Sequence, residues 1–296
     1  MTFTDKLYTI KSPEIADKKV MTEMAVKCIA LDMDRTTLNA QGKLSKENRE
    51  ALLYAIKKGV HVCIASGRAF SALPEDVVSL PGIEYAITCN GAEVYDVPRK
   101  KCLQRFCLPG ESVKAIMKVT ENDPVTYEAF IRGQAYAGTE YVKDPVRFGA
   151  TKQAVEYVQH TRKMEDDIRA FILTHSSELS SMDIIVKDEE KKAEVWALLE
   201  ESVKDIYITS SIQQLIEISG KNSGKHNGLK FLADLLCISL QETAAFGDAD
   251  NDVEMLEIAG IGIAVANGSE KALAAADMIT SHHDINGVAE GIYKIL

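Results

Sequence analysis

Residues 25–38 read AVKCIALDMDRTTL: a short apolar run, then two aspartates spaced by one. The run is too short for an ordinary helix, and its Val and Ile suit a strand buried on both faces. Asp32 and Asp34 fall at its carboxyl end. The same grammar recurs along the chain. VHVCIA (60–65) runs into Ser66, IEYAITC (83–89) into Asn90, and TAAFG (243–247) into Asp248. Between the first two lies a helical segment, with Ser45 as N-cap, Ala51, Leu52, Ala55 and Ile56 on one face, and Gly59 closing it. Strands alternating with helices predict βαβ units and an α/β fold, a Rossmann-like parallel sheet with helices on both faces.

The middle of the chain has another texture. A hairpin-like AEVYDVPRKKCLQRF (92–106) precedes amphipathic helices expected near 110–121 and 153–167. Strands are expected at RAFILT (169–174) and MDIIV (182–186), then a charged helix from near Asp188. Elements that do not alternate strictly read as a separate α+β module. The alternating pattern resumes near Leu215, with further helices after Lys225, after Asp250, near Ala272 and at the end. The resulting division is a polar N-terminal extension over 1–25, an α/β core from 26–93 and 206–296, and an inserted α+β domain over 94–205.

Composition narrows the partners. The chain has 296 residues, 46% hydrophobic and 26% charged, with a net charge of −10. That balance argues against a nucleic-acid or anionic-membrane surface, since both need a basic face. No apolar run approaches the roughly 20 residues needed to span a bilayer, and residues 1–19 lack the apolar core of a signal peptide. The six cysteines are scattered without paired spacing, and three lie in strand-like runs; a reducing, cytoplasmic location is expected.

In an open parallel sheet, ligands bind beyond the carboxyl ends of the strands. If the sheet forms, Asp32 with Asp34, Ser66, Asn90, and Asp248 with Asp252 converge on one crevice, joined by Lys225 at the start of a helix. Two carboxylates one residue apart can share a site, one as nucleophile and one as proton carrier. Alone, DxD reads as an Asp-rich turn, and Thr36 as a residue bonding that turn. Ser66 suits a phosphoryl oxygen and Gly67 admits close backbone approach; alone, they read as a turn before a helix. Lys225, with Lys221 as its rival, suits an anion. GDADND (247–252) offers hard oxygen ligands of the kind Mg²⁺ takes, and lacks the EF-hand pattern. GIG (260–262) opens a strand and is no dinucleotide fingerprint. His282 and His283 lack helical metal spacing and read as surface residues.

Together and in this order, DMDRT, ASGR, Lys225 and GDADND resemble the four motifs of the haloacid dehalogenase superfamily. The likeness is greatest to Cof-type phosphatases, with a large α+β cap between the second and third motifs. CNGAEVYD (89–96), with Asn90 and Gly91 at the passage from core to cap, and the tail AVANGSEKALAAADMIT…NGVAEGI continue it. The resemblance implies a Mg²⁺-dependent phosphoaspartyl mechanism. Asp32 would be the nucleophile and Asp34 the acid and base. Thr36 would support the first-motif loop and, with Ser66, Gly67 and Lys225, bind phosphate. The metal would sit among Asp32, the Asp34 carbonyl and Asp248, supported by Asn251 and Asp252. The implied substrate is a small phosphorylated metabolite, a sugar phosphate or a cofactor-like phosphomonoester. A phosphomutase is the alternative enzyme, and a non-catalytic phospho-acceptor module the alternative of another class. In the cap, Tyr127, Arg132 and Tyr136 are candidate substrate ligands.

Two positions depart from the motif: Arg35 stands where Gly is usual, and Thr37 where Leu is usual. An Arg is expected to hold a negative φ there, with its side chain directed towards the cap.

Overall fold

The computed structural model describes residues 25–296, so the expected extension over 1–25 lies almost wholly outside the described residues. The first strands are β1 (Cys28–Leu31), β2 (His61–Ala65), β3 (Ile83–Thr88), β4 (Glu93–Asp96) and β5 (Lys101–Arg105). A second group comprises β6 (Thr126–Ile131), β7 (Gln134–Gly138), β8 (Arg162–Glu165), β9 (Ser181–Ile185), β10 (Ile206–Thr209) and β11 (Leu215–Gly220). The last are β12 (Thr243–Gly247), β13 (Ile261–Val265) and β14 (Met278–Thr280). They form two sheets, ordered β14-β13-β12-β1-β2-β3-β4-β5 and β10-β11-β9-β6-β7-β8.

In the first sheet, β14 through β3 are parallel, and all but the edge strand β14 are largely buried. Helices Lys46–Lys57 and Gly287–Ile295 pack on one face, and Lys225–Leu236, Val253–Ile258 and Glu270–Ala275 on the other. The order reverses beside β1, which places Asp32 at the topological switch point where doubly wound sheets bind ligands. Ser45 caps the first helix through the Asn48 N–H at 3.2 Å. The buried Asn48 side chain then ties that helix to the Thr37 carbonyl at 2.9 Å and to the Ala289 N–H at 2.9 Å. The site loop is thereby fixed to two helices.

Strand membership moves both expected boundaries of the inserted unit. The hairpin β4–β5 extends the core sheet antiparallel to β3. β11 pairs with β9 and carries β10 on its other edge, so both strands belong to the second sheet. A strand's own residues cannot say which sheet completes it, because pairing is a long-range choice. The expected strand 169–174 is the helix Ile168–Thr174, capped by Asp167, with Ile168 and Ile172 buried one turn apart. A short apolar run fits either element. The helix expected over 153–167 ends at Thr161 and gives way to β8. β14 and the β6–β7 hairpin were not legible as strands. That hairpin turns through Arg132 (φ 50°) and Gly133 (φ 75°), a two-residue turn that needs positive φ at both positions.

The second sheet covers one face with helices Gly110–Val119, Ile168–Thr174 and Glu189–Ser202 around an apolar core. Part of its other face packs on helices Thr139–Lys143 and Ala154–Thr161, and part, at Phe130 and Ala135, meets core residues Ala69, Ala72, Cys89 and Ala92. No helix among the described residues is long and apolar enough to cross a membrane.

Candidate active site

Asp32 follows β1 and donates its N–H to the Phe246 carbonyl at 3.0 Å. Beyond it, Met33–Thr37 wind into one wide turn, closed by the Leu38 N–H on the Met33 carbonyl at 2.9 Å. The Thr37 hydroxyl reinforces the turn on the Asp32 carbonyl at 2.6 Å. This turn separates the two aspartates, which an extended chain would have kept on one side. Asp32 is buried and its Oδ1 accepts from Lys225 Nζ at 2.7 Å. Asp34 is half exposed, and Arg68 grips both its oxygens, Nε at 2.8 Å and Nη2 at 2.5 Å.

Lys225 opens the helix Lys225–Leu236 and is almost fully buried. Its second bond, also 2.7 Å, reaches Asp252 Oδ1. The other Asp252 oxygen accepts the N–H groups of Asp248 and Ala249, both at 3.0 Å. Asp252 is therefore saturated by the chain itself. Asp248 Oδ1 accepts from the Thr36 hydroxyl at 2.9 Å. Donor oxygens of Asp32, Asp248 and Asp252 lie within 4.8 Å of one another. Lys221 is elsewhere, exposed and paired with Asp205.

Charge crowding shifts the carboxyl groups of this cluster. Burial pushes the Asp32 carboxyl well above the carboxylate range against the pull of Lys225, with Asp252 and Asp248 adding to the rise. Burial and then the Asp252 charge raise Asp248 to about 6. Burial works to lower Lys225, but Asp252 and Asp32 outweigh it and hold the ammonium charged.

The second and third strand ends complete the ring. Buried Ser66 donates its N–H to the Ile87 carbonyl at 2.9 Å and accepts the Arg68 N–H on its hydroxyl at 3.2 Å. Asn90 accepts from Asn251 Nδ2 at 3.0 Å and donates to Glu217 Oε1 at 3.1 Å. Gly67 lies under that bond: a Cβ there would come within 3.0 Å of Glu217 and 3.2 Å of Asn90. Gly91 holds φ 85°, and a Cβ would overlap the Gly224 carbonyl at 2.0 Å. The Asn251 Oδ1 is buried with no partner among the described residues.

Several expectations change. Arg35 holds φ 60° and ψ 12°, the left-handed region, rather than a negative φ. Asn267 Nδ2 anchors its carbonyl at 2.8 Å, and its Nε lies 3.8 Å from Asp248 Oδ2 rather than on a cap carboxylate. Local bonding offsets a strain of order 1–2 kcal/mol. Tyr127 faces the apolar core of the second sheet, bonded to Thr120 and Arg169. Tyr136 packs on Phe171, and Arg132 sits at the hairpin turn paired with Glu178. None of the three joins the site. His283 is buried rather than at the surface, its Nδ1 2.8 Å from the Leu38 carbonyl. Sequence reasoning gave no role to Arg68, Asn267 or Glu217. Asn267 lies just past the end of β13, so the strand-end rule pointed there. Arg68 closes the ASGR run at 65–68. Glu217 gave no local signal.

A parallel sheet with an inserted cap, and an aspartate–lysine cluster at its switch point, define a hydrolase class built for anionic esters. The sequence profile of the haloacid dehalogenase-like hydrolases matches residues 29–292. The chain belongs to that family, and within it is a Cof-type phosphomonoester hydrolase. Phosphatase YwpJ of Bacillus subtilis is 31% identical over 92% of this chain and 100% of its own length. From the same organism, 5-amino-6-(5-phospho-D-ribitylamino)uracil phosphatase YwtE is 29% identical over 92% of this chain and 98% of its own. A haloacid dehalogenase-like hydrolase structure from B. subtilis superposes with a TM-score of 0.80 at 27% identity, covering 92% of this chain and all of the other.

Proposed function

We propose that this enzyme hydrolyses a small phosphorylated metabolite through an aspartyl-phosphate formed on Asp32, with Mg²⁺ bound. The observation that carries the reading is the 2.7 Å contact between Lys225 Nζ and Asp32 Oδ1. It leaves Asp32 Oδ2 without a donor among the described residues, at the end of a buried strand. An oxygen so placed can attack phosphorus as the ester P–O bond breaks. Asp34 gives its proton to the departing alkoxide. It then takes a proton from the water that cleaves the acyl phosphate, so phosphate leaves and the Asp32 carboxylate is restored. Ser66, the backbone at Gly67 and Lys225 hold the phosphoryl oxygens. Thr36 holds Asp248, and Asn90 and Gly91 hold the cap passage against Gly224.

The donor set fits a hard divalent cation: crowded carboxylates answered by one lysine, and a buried Asn251 oxygen with no donor. Asp32, the Asp34 carbonyl and Asp248 would hold it, while Asp252, saturated by the chain, and Asn251 support them. The ion supplies charge neutralisation for an incoming phosphate. The substrate reading is a sugar phosphate or cofactor-like phosphomonoester, a size class consistent with the phosphorylated ribityl compound that names the YwtE relative. The test is phosphate release from a panel of metabolite phosphates with Mg²⁺, after EDTA, and with Mg²⁺ restored. Full activity in chelator rejects the metal assignment, and no release from any ester rejects the phosphatase reading.

A further inference from the structure

The core-facing side of the second sheet carries Glu128 on β6, Asp183 on β9 and Glu217 on β11. Register sets them side by side, Glu128 opposite Asp183 and Asp183 opposite Glu217. None is more than 6% exposed. Carboxylates at that depth are ordinarily paired. Glu128 is, with Arg162 Nε at 3.0 Å and Nη2 at 2.6 Å. Glu217 accepts Asn90 Nδ2 and the Ser211 N–H, both neutral donors. Asp183 meets no hydrogen-bond donor among the described residues. Of the other cations, Arg68 is paired with Asp34, and Lys192, bonded to the Ser210 hydroxyl and the carbonyls of Ile212 and Gln213, stands close enough to feel the Glu217 charge, which leaves Asp183 as the carboxylate without a cation of its own. The row thus buries more negative charge than the chain neutralises. Burial, then Glu217 and Glu128, push the Asp183 carboxyl well up, which relieves that charge when no ligand is present.

A second observation falls on the same face. Ser219 lies two residues beyond Glu217, so its side chain shares that face, and its Oγ is buried without a partner. The row also borders the reacting groups at both ends. Glu217 sits on Asn90 and over Gly67. Arg162 lies over the Tyr157 ring at 4.6 Å, and Arg68, holding Asp34, over the same ring at 4.3 Å. Because the row flanks these groups at both ends, an ester anchored at Ser66 and Lys225 with its alkoxide towards Asp34 would turn its alcohol portion to this row.

We propose that the preferred substrates carry an ammonium group on that alcohol portion, seated on Asp183 with Glu217 and the Ser219 hydroxyl beside it. The inference rests on the phosphatase reading and names its substrate class. A hydroxyl would leave the charge excess in place; an ammonium brings three N–H donors and the missing positive charge.

Matched pairs test it: glucosamine 6-phosphate against glucose 6-phosphate, and phosphoethanolamine against 2-hydroxyethyl phosphate, with p-nitrophenyl phosphate as reference. The wild type should favour the amino member of at least one pair by about tenfold or more in kcat/KM. Asp183→Asn and Asp183→Ala should cut that preference to about twofold or less, while melting close to wild type, because the carboxyl they replace has no hydrogen-bond donor to lose. Free glucosamine should inhibit wild-type p-nitrophenyl phosphate hydrolysis at about a tenth of the concentration glucose needs, a reading independent of any variant's folding. Turnover of p-nitrophenyl phosphate with no amino preference in either pair, a preference that survives both substitutions, or equal inhibition by the two sugars overturns the inference alone. No turnover of any ester overturns the phosphatase reading and the inference with it.

Discussion

Arg68 engages Asp34 with two hydrogen bonds, while Lys225 engages Asp32 with one, so the two aspartates of DMD answer to different cations. The guanidinium is further fixed by the Ala72 carbonyl at 3.1 Å and the Tyr157 ring. A planar fork in that setting aims a carboxylate, which a lysine cannot do. Both Arg68→Lys and Arg68→Ala should lower kcat for alkyl phosphates by about 10–100-fold, within the range general acid catalysis supplies. Their effect on p-nitrophenyl phosphate, whose leaving group needs little protonation, should be several-fold smaller. An equal loss on both substrate types would remove Arg68 from the positioning of Asp34.

Asp32→Asn should reduce turnover by about 10³-fold or more, because an amide oxygen is no nucleophile towards phosphorus. Its stability should move the other way. Burial and two neighbouring aspartates disfavour the Asp32 charge, so the metal-free variant should melt no lower than metal-free wild type. Steady-state kinetics and thermal melts in EDTA check both halves. A variant both inactive and strongly destabilised would recast Asp32 as a mainly structural partner of Lys225.

What could be read from sequence follows the range of the interactions. β1, β2, β3, β12 and β13 are local apolar runs with polar residues at their ends, and their positions needed no partner to be seen. The convergence of Asp32, Ser66, Asn90 and Asp248 on one candidate site was legible for the same reason, since a parallel sheet gathers strand ends wherever they lie along the chain. The sheet membership of β4, β5, β10 and β11 was not, because it depends on neighbours distant in sequence. Arg35 shows the other limit. Nothing in its own identity announces the Asn267 bond, 232 positions away, that holds its carbonyl in a left-handed turn.

Asp248 gives a pH signature. Its folded value of about 6 stands above the usual 3.8. A raised carboxyl contributes stability that is fully present below 3.8 and lost as pH climbs through 6, about 3 kcal/mol for this group. Metal-free protein should therefore lose stability between roughly pH 4 and 7. Mg²⁺ binds the ionised form, so the rise in Tm on adding it should grow over the same interval, by several degrees between pH 5 and pH 7. Paired melts in EDTA and in Mg²⁺ across pH 5–8 measure the increment, to which Asp32, also raised by burial, adds in the same direction. A Tm increment that is flat over that range would separate Asp248 from the metal.

Arg35→Gly probes the departure from the family motif. Two effects on stability oppose each other. Glycine relieves a left-handed strain of about 1–2 kcal/mol but adds roughly 0.4–1 kcal/mol of unfolded-chain entropy. It also loses a long ion pair between an exposed guanidinium and the buried Asp248 carboxylate, worth about 0–1 kcal/mol at that separation. Net stability should change by less than about 1 kcal/mol. Metal binding should change more clearly. The guanidinium, with Nε 3.8 Å from Asp248 Oδ2, competes with any cation for that carboxylate. It also lines a cavity of about 270 Å³ with Asp248 and the cap residues 210–213, so its removal opens the approach to the site. The Mg²⁺ concentration for half-maximal activity should fall several-fold in Arg35→Gly. Titration of activity with Mg²⁺ checks this, and an unchanged or higher requirement would mean that Arg35 does not compete with the metal for Asp248.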